Sequence, residues 1–296
     1  MPNHNTETPP PRLSVIVPHY QDEVRLRRCL DALGPQISST GQVELIVVDN
    51  NSANLDVDKL CADYPSARIL VEYEQGAASA RNRGIVEANG EHLLFIDSDC
   101  LPADNWVAAA SDLIGLSDIV GGLVSVFDET PAPRSGSEAF ETVFAFNNRY
   151  YVEKWNFTVT ANMLTRRELF DAVGFFKSDV SEDKEWCLRA CAAGFKIAYS
   201  DELAVSHPSR ADWPALRKKW RRLSDEAFGL NGSSFKARTK WLIRAILVFL
   251  SPFAHVPKVL GSPKLSAWGE RLRALETLFR LRTRRAVWMI QQALWQ

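Results

Sequence analysis

At 296 residues, 46% of them hydrophobic and 24% charged, the chain is long and apolar enough to build a sizeable core in one globular domain plus an appendage. Five cysteines without a CxxC pair exclude a disulfide framework and point to a reducing compartment. The formal net charge of -1 hides a split. Residues 1–209 hold 31 acids and 17 bases, net -14, whereas 210–296 hold 5 acids and 18 bases, net +13; a segregated basic segment implies an anionic partner.

The opening "MPNHNTETPPPR" has no basic stretch followed by an apolar run, so it predicts a disordered lead-in over 1–12 rather than a signal peptide. "LSVIVPHY" (13–20) is an apolar run of strand length. "DEVRLRRCLDAL" (22–33) spaces Val24, Leu26, Leu30 and Leu33 as a helix does. A second strand, "VELIVVDN" (43–50), a helix over 54–64 and a third strand, "ARILVEY" (67–73), follow. "GAASARNRGIVEANG" (76–90) opens and closes on glycine around an alanine-rich stretch, which suits a helix. "HLLFI" then makes a fourth strand. Strands alternating with helices at close intervals predict βαβ units and a mostly parallel, Rossmann-like sheet flanked by helices. The Pro/Gly/Ser loop "DETPAPRSGS" (128–137) divides the chain. Beyond it lie a helix over 138–155, a strand and helix over 157–176, a helix over 181–194 and a strand with its exit loop over 195–208. Cys187 and Cys191 stand at helical i,i+4 spacing; two small core residues are expected there rather than a metal-ligand pair.

The strand tips carry acids: Asp49 after one run, and Asp97 and Asp99 after another. Open α/β sheets bind ligands at the C-terminal ends of their strands. Two carboxylates one residue apart repel each other unless something positive joins them. A divalent cation with hard oxygen ligands, Mg²⁺ or Mn²⁺ shared with a substrate phosphate, would do so. A turn built from Asp, Ser and Pro is the alternative. Phosphatases of the haloacid dehalogenase type also carry a strand followed by DxD, but with Thr or Val where this chain has Leu101.

Taken in order, "VIVPHYQDE", "IVVDNNS", "GAASARNRGI", "LLFIDSDCLP", "VGGLV", "DAVGFF", "SEDKEWCLRACAAGFKIAY" and "VSHP" resemble the family 2 glycosyltransferases over about residues 13–208. The resemblance implies an α/β GT-A fold. It also implies inverting transfer of a sugar from a nucleotide-diphosphate donor, UDP-linked by expectation, to a glycan or lipid-linked acceptor, with Mn²⁺ or Mg²⁺. By the same resemblance the catalytic domain spans 13–209, a nucleotide-binding half over 13–127 and an acceptor half over 138–209. Pro18, Tyr20 and Asp22 or Glu23 begin the nucleotide pocket, although His19 and Gln21 depart from the common pattern. Asp49 hydrogen-bonds the nucleoside, Gly76 lets backbone approach the ligand, and Arg81 offers its fork to phosphate or base oxygens. By resemblance Asp97 and Ser98 are expected near the donor ribose and sugar, and Asp99 and His207 are expected to hold the metal. The resemblance makes Asp183 the expected general base, with Glu182 expected to orient the acceptor or the base. Asn162 lines the sugar pocket, and Trp186 either stacks on a sugar face or belongs to the core.

From Asp212 on, the pattern is helical and basic. "RKKWRRLSDEAFG" (217–229) stands where processive relatives carry Gln-x-x-Arg-Trp but lacks that order. Arg221 or Arg222 reaches a diphosphate there, or the helix is simply solvated. "WLIRAILVFLSPFAHV" (241–256), broken by Arg244 and Pro252, falls short of a span of about 20 apolar residues and reads as a re-entrant or interfacial segment. The last helical stretch puts Trp268, Leu272, Leu275 and Phe279 on one face among arginines, the pattern of a helix lying in the membrane plane. The expectation is a cytoplasmic enzyme held peripherally on an anionic inner membrane face through a basic helical extension over 210–296. A helix covering the acidic catalytic surface is the other reading of that segment. No reading motif accompanies the charge, so nucleic acid is not expected. Two further classes stay in view. A non-catalytic nucleotide-sugar-binding scaffold on the same fold would have no need of the Glu-Asp pair. A nucleotidyltransferase needs a glycine-rich basic loop that "VPHYQDEVR" lacks.

Overall fold

The computed structural model describes residues 12–178, 180–229, 232 and 234–295; the expected lead-in therefore lies, Arg12 apart, outside the described residues. The chain divides into two units. The first takes the chain up to Ser125, with Asn148–Ser178 and Glu182–Ser206. The second takes Val126–Asn147, a short stretch before Glu182, and the chain from His207 on.

In the first unit, β1 (Leu13–His19), β2 (Val43–Asp49), β3 (Ala67–Val71) and β4 (His92–Ile96) alternate with α1 (Glu23–Thr40), α2 (Val57–Asp63) and α3 (Ala77–Glu87). β5 (Leu101–Pro102), α4 (Trp106–Asp112) and β6 (Ile119–Phe127) follow. The sheet order among the described residues is β3-β2-β1-β4, then β7 (Asn162–Arg166), β6, β8 (Ile197–Pro208) and β5. The first four strands pair in parallel, and β7 pairs antiparallel with both β4 and β6. Helices cover the parallel half, which explains why β1 and β2 read as unbroken apolar runs rather than alternating ones.

α1 is capped by the Asp22 carboxylate, which accepts from the Arg25 N–H at 3.3 Å, and buries Leu26, Cys29, Leu30, Leu33 and Ile37. It runs on through Gly34 and Pro35 to Thr40, seven residues past the predicted end, because Ile37 continues its apolar stripe. α3 packs directly on the sheet: a Cβ at Gly84 would come within 2.6 Å of Ile16. The helix predicted over 138–155 is two helices. α5 (Gly136–Phe144) belongs to the second unit and α6 (Asn148–Trp155) to the first. Buried Asn148 anchors the start of α6 by donating to Gly122 O at 2.7 Å and Thr158 Oγ1 at 2.8 Å. α7 (Glu168–Val173) and α8 (Glu182–Ala192) complete this unit. Its core gathers Phe95, Phe170, Phe176 and Trp186, with Trp186 stacked on Phe170 at 4.5 Å. Cys187 is buried among these residues, whereas Cys191 is partly exposed against the Asn156 carbonyl.

The second unit is helical: α5, α9 (Trp213–Gly229), α10 (Phe235–Leu260) and α11 (Trp268–Trp295). A capping box of Ser135 and Glu138 starts α5. α10 and α11 run antiparallel: Trp241 and Ala245 meet Met289 and Ala293 at one end, and Val259 meets Ala274 and Leu278 at the other. The segment read as too short to span is part of a 26-residue helix, long and apolar enough to cross a membrane by length and composition, with 17% of its apolar window buried. Neither interruption ends it. Arg244 lies over the Trp241 ring at 5.2 Å. Pro252 removes an N–H, but the Val248 carbonyl it would have served accepts from Ser251 Oγ at 2.7 Å.

Candidate active site

The site starts from the parallel register. β1 and β2 pair His19 with Asp49, so the two strand tips end side by side. The Asp22 N–H donates to His19 Nε2 at 3.1 Å, which leaves the ring proton on Nδ1, 2.8 Å from Asp49 Oδ1. Ser52 donates its Oγ to the same oxygen at 2.6 Å and its N–H to Oδ2 at 2.9 Å. Asp49 is 2% exposed. Burial works against its charge, but the bonds from His19 and Ser52 outweigh it and hold the carboxyl below its usual range. Next to it, Asn50 ties down the approach to α3. Its Oδ1 accepts the Gly76 N–H at 2.7 Å, and its Nδ2 donates to the carbonyls of Glu72 and Glu74 at 3.1 and 2.6 Å. Gly76 caps α3 at φ +131, a conformation that suits glycine. Pro18 lies near the end of β1, Tyr20 beyond it is half exposed, and Glu23 pairs with Arg27 at 2.7 Å on the surface of α1. Sequence reasoning noted His19 as a departure and passed over Asn50. The signal for both was a polar residue beside the acid at a strand tip.

Arg81 answers the question raised by the paired acids. It is 5% exposed on α3. One arm donates to Asp97 Oδ1 at 2.5 Å and the other to Glu182 at the start of α8. Burial weighs against the guanidinium charge, and Glu182 and Asp97 together push its pKa up. A rigid fork therefore ties the tip of β4 to the first turn of α8. Asp183, one residue on, lies in that same first turn, where the helix dipole favours carboxylates. Asp97, Asp99 and Cys100 each bring a potential ligand atom within 4.8 Å of the others. Ser98 lies between the two acids, half-buried. Beneath them the Cys29 and Cys100 thiols are pushed up, first by burial and then by the carboxylate charges. β5 pairs Leu101 with Ser206 of β8, and His207 is the next residue on that strand. The His207 ring is buried on Phe146 at 5.2 Å and donates Nδ1–H to Pro208 O at 2.7 Å, leaving its lone pair on Nε2. Arg210 Nη1 stands 3.4 Å from that nitrogen, so a cation already faces it.

Two expected acceptor contacts are absent. Asn162 is fully buried. It donates to the carbonyls of Leu123 and Leu203 at 2.9 and 2.8 Å and accepts from Trp106 Nε1 at 2.9 Å, which leaves it nothing to offer a sugar. Trp186 is a core residue, 0% exposed, with its N–H on Gly174 O at 2.9 Å and no ring face open to a sugar. In the second unit a groove of about 1040 Å³ opens along α9. Its Arg221 pairs with Asp225 at 3.0 Å and Arg222 with Glu226 at 3.6 Å, as on a solvated basic helix.

The sequence profile of glycosyl transferase family 2 matches residues 14–174, more than half of the chain. Glycosyltransferase AglE of Haloferax volcanii is 32% identical over 222 residues, 71% of this chain and 71% of its own. Among solved structures, mannosyltransferase PcManGT from Pyrobaculum calidifontis, in complex with GDP-Man and Mn²⁺, aligns with a TM-score of 0.61 at 18% identity, over 96% of this chain and 86% of that one. S. aureus TarS 1-349 in complex with UDP-GlcNAc gives 0.52 at 20% identity, over 95% and 89%. At those identities the two structures speak for the fold, which is GT-A. By profile, relative and fold together, the chain belongs to glycosyl transferase family 2 and is a glycosyltransferase.

Proposed function

We propose that the chain is an inverting, metal-dependent transferase that moves a sugar from a nucleotide-diphosphate donor to a hydroxyl of a glycan or lipid-linked acceptor. The observation that carries this reading is the Arg81 fork between Asp97 and Glu182, which holds a strand-tip acid and a helix-start acid in one network. The complexes of the two neighbours with GDP-Man and UDP-GlcNAc support the donor class. Asp49 with His19, and Asn50 with Gly76, give the nucleotide half a rigid floor, and Tyr20 gives it an exposed ring. Arg81 sets a positive charge between Asp97 and Glu182. Asp183 takes the proton from the attacking hydroxyl as the acceptor oxygen closes on the anomeric carbon, while Glu182 fixes the entry to α8. Attack opposite the leaving diphosphate inverts that carbon.

The donor chemistry of each residue suits a hard divalent cation: carboxylate oxygens at Asp97 and Asp99 of the first unit, and, in the second, an Nε2 lone pair at His207 set by its Nδ1–H bond to Pro208 O. Asp99 and His207 would hold Mn²⁺ or Mg²⁺, which when bound offsets the charge developing on the departing diphosphate. The exposed apolar side of α10 and the basic charge of 210–296 support a peripheral location on the inner face of the cell membrane. The test is Asp183→Asn. Transfer measured by sugar incorporation should fall about 10²–10⁴-fold, with donor affinity by calorimetry unchanged. Transfer that survives the change removes Asp183 from the role of base.

A further inference from the structure

Two half-buried arginines of α11 have no carboxylate partner among the described residues. The Arg282 and Arg285 guanidinium groups lie over the Trp220 ring of α9, at 5.8 and 4.2 Å from its centre. The Nε–H of each, and the Trp220 Nε1–H, are shut off from solvent and have no acceptor among the described residues. Burial pushes both groups down, Arg285 to about 9, and Arg282 and Arg244 press on Arg285 in the same direction. Lys258 is lowered by burial and then by Lys264 and Arg282. Three buried donors and a knot of like charges are costly unless an anion with several acceptor oxygens joins them.

We propose that the second unit holds a site for a lipid-borne phosphate, built from Arg282 and Arg285 of α11 over Trp220. The chemistry fits: guanidinium forks match phosphate oxygens, and an indole N–H adds a third donor. The lipid source follows from α10. Ile243, Ile246, Leu247, Phe249, Leu250 and Phe253 are each 50% exposed or more, and Arg244 on that helix is a charge neighbour of Arg285. An apolar helix face flanked by phosphate-seeking arginines suits a bilayer with its headgroups. The site deepens the membrane-facing reading of this unit and rests on it.

The experiment is sedimentation of the full chain with phosphatidylcholine vesicles containing about one-fifth phosphatidic acid, beside pure phosphatidylcholine vesicles. Arg282→Gln/Arg285→Gln should weaken binding to the anionic vesicles about tenfold or more. Arg217→Gln/Lys218→Gln, which removes the same charge from the exposed side of α9, should weaken it clearly less. Equal loss in the two variants means diffuse attraction and overturns the site. Binding to neutral vesicles with no preference for phosphatidic acid leaves the membrane reading standing and also overturns the site. Inorganic phosphate that binds the chain by calorimetry while vesicles fail to retain it overturns the lipid source. Arg285→Met should leave the melting temperature unchanged or raise it, because it removes an unpartnered cation. A marked fall assigns the arginine a structural role and ends the proposal.

Discussion

Arg81, which is buried, and Arg285, which is half-buried, each shut an Nε–H off from solvent, and they are held in opposite ways. Arg81 in the first unit has a carboxylate on each arm. Arg285 in the second has an indole face, an orphaned N–H and other cations. In the first unit the sequence supplies its own counter-charges: strand tips end in acids, and α3 brings a guanidinium to them. In the second, 18 bases stand against 5 acids after residue 209, so cations outnumber the acids that could pair with them. A buried charge with partners organises a site from within. A half-buried charge without them points to something outside the chain.

The largest stability effect that would sharpen this contrast comes from Arg81→Met. Removing the fork strands Glu182 and Asp97 beside each other and should cost about 3 kcal/mol by chemical denaturation. The figure stays below that of a fully buried pair because the Asp97 side chain is 30% exposed. Transfer should be lost as well. A variant as stable as wild type would break the comparison from the first-unit side.

Lys219→Met probes a paired buried charge inside the second unit. Glu141 is 2% exposed there and accepts from Lys219 at 2.5 Å and from the Arg210 N–H at 2.6 Å. Burial opposes the Glu141 charge, and Lys219 and Arg210 hold its pKa down. Removing Lys219 should cost about 3 kcal/mol, since a buried carboxylate loses its counter-ion. If this pair proves dispensable while Arg285→Met destabilises, the assignment of paired and unpaired charges is reversed.

A smaller effect is expected at Asp49. Its folded pKa is depressed, so its contribution is fully present above the unfolded carboxylate value of about 3.9 and is lost as pH falls through the folded value. Ser52→Ala removes the hydroxyl donor and leaves the N–H. It should cost about 1 kcal/mol at neutral pH and move the acid-unfolding midpoint upward. An unshifted midpoint, followed by circular dichroism, would mean that His19 and the backbone N–H of residue 52 hold the carboxylate without the hydroxyl.

Much of this was legible in the chain because the signals were local. Strands buried on both faces announce themselves as runs such as "LSVIVP", and a strand tip is where an acid stands out. What stayed hidden depended on distant neighbours. Arg81 was read as a phosphate ligand, but its acids come from Asp97 and from Glu182, 101 residues away. Asn162 and Trp186 carry side chains that could meet a sugar, and only the sheet and the Phe170–Phe176 cluster show that their polar atoms are already used. α10 was cut short because Arg244 and Pro252 look like interruptions in one dimension. The Trp241 ring and the Ser251 hydroxyl absorb them in three.

The most direct measurement is calorimetric binding of a panel of nucleotide sugars, with Mn²⁺, Mg²⁺ or EDTA, to wild type and Asp99→Asn. The account predicts that one donor binds, that EDTA abolishes binding, and that Asp99→Asn abolishes it too. A donor that binds equally well in EDTA, or to Asp99→Asn, would contradict a cation at the tip of β4. Binding by no donor under any condition would remove the transferase mechanism proposed for this site.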